Sequence, residues 1–177
     1  MNAKLLGVHV LVRENSYLLP RCLASVQAVA DEIIVMDTGL LKETGRIATG
    51  FGARVHLFPW PDDSAAIRNA GLSLSGTAWA LVLDADEMLL HTGAKRRLDW
   101  LADTSDTAFR VQIEHVMGAG RGHRIYSSGV RLFRAASGFR YEGIMYERLT
   151  APPGDRQAAE ALEQARLCPL TLVSGGR

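Results

Sequence analysis

Four apolar runs that alternate with helical stripes constrain this chain more than any other feature. Leu5 to Val12 (LLGVHVLV), Glu32 to Asp37 (EIIVMD), Ala53 to Phe58 (ARVHLF) and Trp79 to Asp86 (WALVLDAD) read as strands. After the first, Leu19, Cys22, Leu23, Val26 and Ala30 fall on one helical stripe, and Pro20 suits a first helical turn. KETGRIATGFG, residues 42–52, reads as a short helix closed by glycine. Asp62, Asp63 or Ser64 can cap a helix through AAIRNAGLSLSG, residues 65–76. Continuous apolar strands separated by helices imply a mostly parallel sheet flanked by helices on both faces. The first half is therefore expected to be a Rossmann-like α/β unit.

The pattern changes after about residue 105. In AFRVQIEHV, residues 108–116, Phe109, Val111 and Ile113 alternate with Arg110, Gln112 and Glu114, the period-two signature of a half-buried strand. GVRLFRAASGFRYEGIMYERLT, residues 129–150, continues as short strands around a turn, so a C-terminal antiparallel hairpin region is expected. PPGD, residues 152–155, breaks the chain before RQAAEALEQARL, which reads as helix. This divides the sequence into a domain over 1–150 and a helical tail over 151–177, with no internal repeat.

Composition narrows the class. With 47% hydrophobic and 22% charged residues in 177, the chain can bury a sizeable core and is not a disordered segment. A net charge of +1 gives no electrostatic reason to expect nucleic acid or an anionic membrane as the main partner. Cys22 and Cys168, the two cysteines, make no disulfide framework and sit in no nucleophile motif. No signal peptide and no apolar run long enough for a transmembrane segment is seen, which points to a reduced, cytoplasmic setting.

In open α/β sheets, ligands bind beyond the carboxyl ends of the strands. Asp37 ends one strand, Asp84 ends another, and Arg13 and Glu14 follow the first. If the chain stays extended past Leu83, Asp84 and Asp86 project to the same side. Two carboxylates so close repel unless a cation or donor stands between them. Mg²⁺ is commonly held by one or two carboxylates plus substrate phosphates, so the cluster makes sense as a metal-diphosphate site. Other constellations carry less. GAGRG, residues 118–122, has no helix after it and reads as a hairpin loop. His9, His56, His91, His115 and His123 lack metal-ligand spacing. Trp60 and Trp79 flank apolar strands and read as core.

The polar segments also occur in a telling order: VREN (12–15), DEIIVMDTGL (31–40), FPWPDDSAAIRN (58–69), LDADE (83–87), RLFR (131–134) and FRYEGIMYERL (139–149). Over about residues 5 to 150 the chain resembles glycosyltransferase family 2 proteins of GT-A fold, in the small branch that carries V-K-N-E, D-T-G-S and L-D-A-D-E motifs. The resemblance implies that Asp37 bonds the nucleotide base, that the backbone of Val12, Arg13 and Glu14 cradles base and ribose, and that Arg68 reaches the nucleotide. It further implies that Asp84, Ala85 and Asp86 form the D-x-D that meets ribose and metal, with Asp84 and Asp86 the ligands of Mg²⁺ or Mn²⁺. The activity implied is inverting transfer of a sugar from a nucleotide-diphosphate donor, with a UDP-sugar the expected donor. The family's late F-x-G-x-x-H-E pattern matches Tyr141 to Glu147 and makes Glu147 the general-base candidate, with Glu142 and Glu114 as rivals. The chain departs from the pattern at Leu40 and Lys42, where a small hydroxyl and an acid are expected, and at Tyr146, where a histidine is. These departures keep a non-catalytic nucleotide-sugar binding relative in view. A nucleotidyltransferase on a similar fold is the other alternative, although VRENSYLLPR lacks that class's glycine-rich loop. Acceptor contacts fall in the less patterned second half, so the acceptor is left open.

Overall fold

The computed structural model describes residues 4–13, 16–39, 43–59, 63–90, 98–117, 123–144 and 146–175. The four apolar runs form strands β1 (Leu6–Val12), β2 (Glu32–Asp37), β3 (Arg54–Leu57) and β4 (Trp79–Asp84). Between them lie helices α1 (Leu19–Val26), α2 (Thr44–Gly50) and α3 (Ser64–Ser73). β1 pairs in parallel with β2 on one side and β4 on the other, and β2 pairs in parallel with β3. Every residue of β1 is buried, as a central strand covered on both faces requires.

The second half adds β5 (Glu87–Leu89), a short helix α4 (Trp100–Asp103), and the long strands β6 (Ala108–Met117) and β7 (His123–Arg134). The chain continues through β8 (Arg140–Glu142), β9 (Arg148–Thr150), helix α5 (Arg156–Glu163) and β10 (Arg166–Ser174). Among the described residues the main sheet has eight strands in the order β3-β2-β1-β4-β7-β6-β10-β5, while β8 and β9 form a separate antiparallel hairpin. β7 is antiparallel to both β4 and β6, so the sheet is mixed.

Two expectations are corrected by this topology. The helix expected in the tail is present as α5, but the residues after it form β10, which lies parallel to β6 and antiparallel to β5. The reason is visible in the side chains. Cys168, Leu170 and Leu172 alternate into the main core, a period-two pattern, and the strand's register shifts between Leu167 and Thr171, around Pro169. The chain also does not stay extended past Leu83. It turns at Ala85–Asp86 and restarts as β5. The Asp84 N–H donates to Glu87 Oε2 (2.8 Å) and the Ala85 N–H to the Leu11 carbonyl (3.2 Å), which folds the segment back on itself.

The main core joins β1, β2, α1 and the inner faces of β4, β6 and β10. At its centre Trp79 packs on Phe109 at 5.6 Å between ring centroids and donates its Nε1–H to the Leu101 carbonyl. A second cluster on the opposite face of β4, β6 and β7 packs α3, α5 and the β8–β9 hairpin against Val82, Ala108 and Phe133. No described helix is long and apolar enough to cross a membrane.

Helix α3 begins where the sequence offers three caps, and Asp63 is the one used: its backbone is extended and its carboxylate accepts the Ala66 N–H. Asp63→Ala is expected to cost about 1 kcal/mol, the usual loss for an N-cap. Urea midpoints with an unchanged m-value would measure it, and a change within error would mean that packing alone starts the helix.

Candidate functional site

Strand register brings the carboxyl ends of four parallel strands to one edge. Val12 pairs with Asp37, Leu11 with Asp84, and Asp37 with Leu57. Asp37 is buried at the end of β2. Its Oδ1 accepts the N–H of Gly39, which turns away with φ +80, a backbone angle that side chains rarely adopt. Val12 and Ala85 are buried at the same edge, and Arg13 is exposed beside them. Glu14, Leu40 and Lys42 lie outside the described residues, as do Trp60, His91 and the 118–122 loop.

The organising group is Arg68. It lies on α3, is nearly fully buried, and bridges two carboxylates that are far apart in sequence. Its Nη2 donates to Asp84 Oδ1 and its Nε donates to Glu147 Oε1 at 2.8 Å, while its third nitrogen, Nη1, is buried with no partner among the described residues. Burial disfavours a charged guanidinium, but Asp84 and Glu147 outweigh that penalty and hold Arg68 protonated. Ser64, one helical turn earlier on α3, donates to Glu147 Oε2 at 2.6 Å. Burial would raise the Glu147 carboxyl, yet the hydrogen bonds from Ser64 and Arg68 bring it below its ordinary value. Each carboxylate oxygen accepts one bond and keeps a second lone pair.

The same helix fixes the hairpin that carries Glu147. Asn69 Nδ2 donates to the Tyr141 carbonyl (2.9 Å) and Asn69 Oδ1 accepts the Tyr141 N–H (2.8 Å), so one side chain clamps β8 to α3. Tyr146, at the position of the family histidine, is 92% exposed with φ 60 and is turned out of this cluster. Of the rival acids, Glu114 is buried against Arg124 on the β6–β7 ribbon and Glu142 is exposed on β8. Neither lines the cavities described below.

The three acids of LDADE have separate environments. Asp84 has one oxygen on Arg68 and the other 3.7 Å from Arg131, and although burial opposes ionisation these two cations hold its carboxyl low. Glu87 is buried, accepts from Arg131 Nη2 at 3.0 Å and from the Asp84 backbone, and is pushed up to about 7 by its burial. It is a bracket for the turn. Asp86 has a single long contact among the described residues, a 3.4 Å bond from Ser174 Oγ of β10. Among the described residues no three side chains gather as a protein-only metal cage. A cation that keeps waters and substrate phosphates needs only one or two carboxylates, and Asp86, with Asp84 beside it, fits that requirement.

Two cavities flank the Arg68 row, and Arg68, Asp84 and Glu147 line both. One, of about 240 Å³, is completed by Leu11, Arg13, Ala85 and Asp86. The other, of about 420 Å³, lies between the sheet at Arg110 and Arg131, the hairpin at Tyr141 and Arg148, and α5 at Leu162. A larger cavity of about 550 Å³ sits at the opposite end of the sheet, between α5 and the loops at Asp106 and Ser137. Its two acids are already committed, Asp106 to Arg166 and Asp155 to capping α5, so size does not make it the reactive site.

The structure brings Arg68, Asp84, Asp86 and Glu147 of the sequence candidates around one cavity and Asp37 to the same strand edge, and it adds Ser64, Asn69, Glu87 and Arg131, to which the sequence assigned no individual role. Ser64 and Arg68 stand four apart on one helix, a spacing that could have signalled a shared target. Glu87 and Arg131 lie in the LDADE and RLFR segments, but nothing local pairs one with the other.

The chain is similar in sequence and in fold to known proteins. A TPR repeat-containing protein of Synechococcus elongatus is 38% identical over 138 residues, 78% of this chain and 34% of that protein. An uncharacterized glycosyltransferase of Rickettsia conorii is 31% identical over 84 residues, 48% of this chain and 29% of that protein. The chain thus spans about a third of the length of these curated relatives. Among solved structures, S. aureus TarS 1-349 in complex with UDP-GlcNAc superposes with a TM-score of 0.62 at 13% identity, over 98% of this chain and 59% of that one, a likeness of fold. The family model for Glycosyl transferase family 2 matches residues 8–150, and the chain belongs to that family.

Proposed function

We propose that this chain is a glycosyltransferase domain that moves a sugar from a nucleotide-diphosphate donor, a UDP-sugar, to an acceptor hydroxyl with inversion of the anomeric centre. The observation that carries the proposal is the Asp84–Arg68–Glu147 row standing between two cavities at the carboxyl ends of the strands. Direct displacement needs the leaving diphosphate and the incoming hydroxyl on opposite sides of the sugar carbon, and a row with a cavity on each side suits that demand. In this reading Asp37 and the backbone of Val12 and Arg13 hold the nucleoside. Asp84 and Arg68 order the donor, and Glu147 takes the acceptor's proton. Asp86, with Asp84 beside it, would hold Mg²⁺ or Mn²⁺, which when bound offsets the charge developing on the departing diphosphate. The TarS structure, which holds UDP-GlcNAc, supports the choice of donor by likeness of fold.

Metal and UDP are then expected to bind cooperatively, since each supplies charge or ligands that the other needs. UDP at 100 times its Kd with Mn²⁺ should stabilise the fold by about 2.7 kcal/mol, a rise in Tm of roughly 5 to 10 °C for a chain of this size. The rise should need both components and largely vanish in Asp86→Asn. Differential scanning fluorimetry reads this directly, and an equal rise without Mn²⁺, or an unaltered one in the variant, would remove the metal from the proposal. Slow release of UDP from a panel of UDP-sugars would separate a catalyst from a binding module.

A further inference from the structure

The cavity of about 420 Å³ holds more positive charge than the donor reading uses. Arg68, Arg110, Arg131 and Arg148 line it against only Asp84 and Glu147. Arg68 and Arg131 are already paired with Asp84, Glu87 and Glu147. Arg110 of β6 and Arg148 of β9 have no carboxylate within ion-pairing distance among the described residues. Arg148 even stands directly across the hairpin from Glu142 without forming a pair. Arg148 is exposed and Arg110 half-buried, and with no carboxylate to offset them the two give this cavity a positive potential that favours an anion.

The chemistry of that anion can be narrowed. The two arginines come from different elements, the main sheet and the separate hairpin, so they approach a ligand from two directions. A guanidinium fork engages two oxygens at once, and a tetrahedral phosphate offers oxygens to two forks where a flat carboxylate has only one paired edge. Tyr141, Leu149 and Leu162 give the same cavity an apolar wall, and its volume falls within the common range for small-molecule sites. Glu147 lines both this cavity and the one at Asp86, so it stands where the two meet.

We propose that this cavity receives the acceptor and that the acceptor carries a phosphate group, held between Arg110 and Arg148 while its hydroxyl meets Glu147. The proposal rests on the donor occupying the cavity at Asp86. It defines a substrate class, a phosphorylated sugar or polyol, free or at the end of a longer chain.

The test titrates the whole chain with glucose 6-phosphate, glucose and glucuronate by ligand-observed NMR, each with and without saturating UDP and Mn²⁺. Glucose 6-phosphate should bind in both conditions and glucose at least about tenfold more weakly, the loss expected for charge-assisted hydrogen bonds. Arg110→Met and Arg148→Met should each weaken glucose 6-phosphate by about tenfold or more while leaving UDP affinity unchanged. Competition between UDP and glucose 6-phosphate would overturn the proposal, because the arginines would then serve the donor's own phosphates. Equal binding of glucose, or unaltered binding in both variants, would overturn it as well, and glucuronate binding as tightly as the phosphate would replace phosphate by carboxylate. Absence of UDP binding to the wild-type chain would sink the donor reading and the acceptor assignment with it. That result appears in the UDP arm alone, so the two failures are told apart.

Discussion

Glu147→Gln lowers turnover by about 10² to 10⁴-fold in the expected result, with UDP affinity close to that of the wild type. Glutamine suits this test because it preserves the local bonding. Its carbonyl can accept from Arg68 Nε, and its amide can donate to Ser64 Oγ, so both contacts of Glu147 survive the change. Only the basicity is lost. The pH profile offers a second readout. Because Ser64 and Arg68 bring the Glu147 carboxyl below its ordinary 4.5, despite its burial, the group stays ionised well into acid and the acid limb of kcat/KM should lie below that value. Ser64→Ala removes one of the bonds that favour the charged form and should move that limb upward. The Arg68–Glu147 pair also favours a competing account, in which Glu147 is simply the counter-ion of a buried arginine. Wild-type turnover in Glu147→Gln would establish that account and pass the base role to Glu142 or Glu114. Stability alone cannot separate the two, since both lose one charge beside Arg68.

The legible part of this fold is the part written in short-range periodicity. β1 to β4 and the helices between them follow from apolar spacing within windows of about a dozen residues, and their carboxyl ends put Asp37 and Asp84 on one edge. What escaped was determined at long range. Glu87 has no individual role in the sequence and becomes a buried bracket because Arg131, 44 residues later, lands on it. Glu147 meets Arg68 across 79 positions. The turn at Ala85–Asp86 depends on that same bracket, which is why an extended D-x-D was the natural expectation. β10 was hidden for another reason. Its alternating apolar side chains follow directly on the helical pattern of α5, and Pro169 interrupts the run where the strand's register shifts. The proposal of a nucleotide near Asp37 and of a base at Glu147 comes from the resemblance carried by the order of motifs, which no periodicity contains.

His9→Leu is expected to remove about 3 kcal/mol of acid sensitivity from the fold. His9 sits in the middle of β1, 4% exposed, facing α3 near Gly71, and among the described residues neither ring nitrogen has a partner at good hydrogen-bond geometry, the Gly71 backbone being a weak neighbour only. Burial pushes its pKa down from 6.5 to about 4; Glu32 and the Gly71 backbone oppose the shift and Arg54 adds to it. The sign follows from proton counting. As pH falls through 6.5 the unfolded chain takes up a proton at His9, whereas the folded chain does not until about 4, so acid favours the unfolded state across that window. At about 1.36 kcal/mol per pKa unit, the loss between about pH 7.5 and about pH 4 comes to roughly 3 kcal/mol. Carboxylates that also titrate there act alike in both proteins and cancel in the comparison. Leucine is close to histidine in volume and carries no polar atoms to leave unpaired, so at pH 7.5 the variant should be at least as stable as the wild type. Urea midpoints of both proteins at the two pH values give the difference of differences. An identical acid loss in the two would mean that His9 finds a proton acceptor in the folded chain and that its burial is not the source of the shift. A variant far less stable at neutral pH would mean instead that the imidazole packs against Gly71 and Met36 in a way that leucine cannot reproduce.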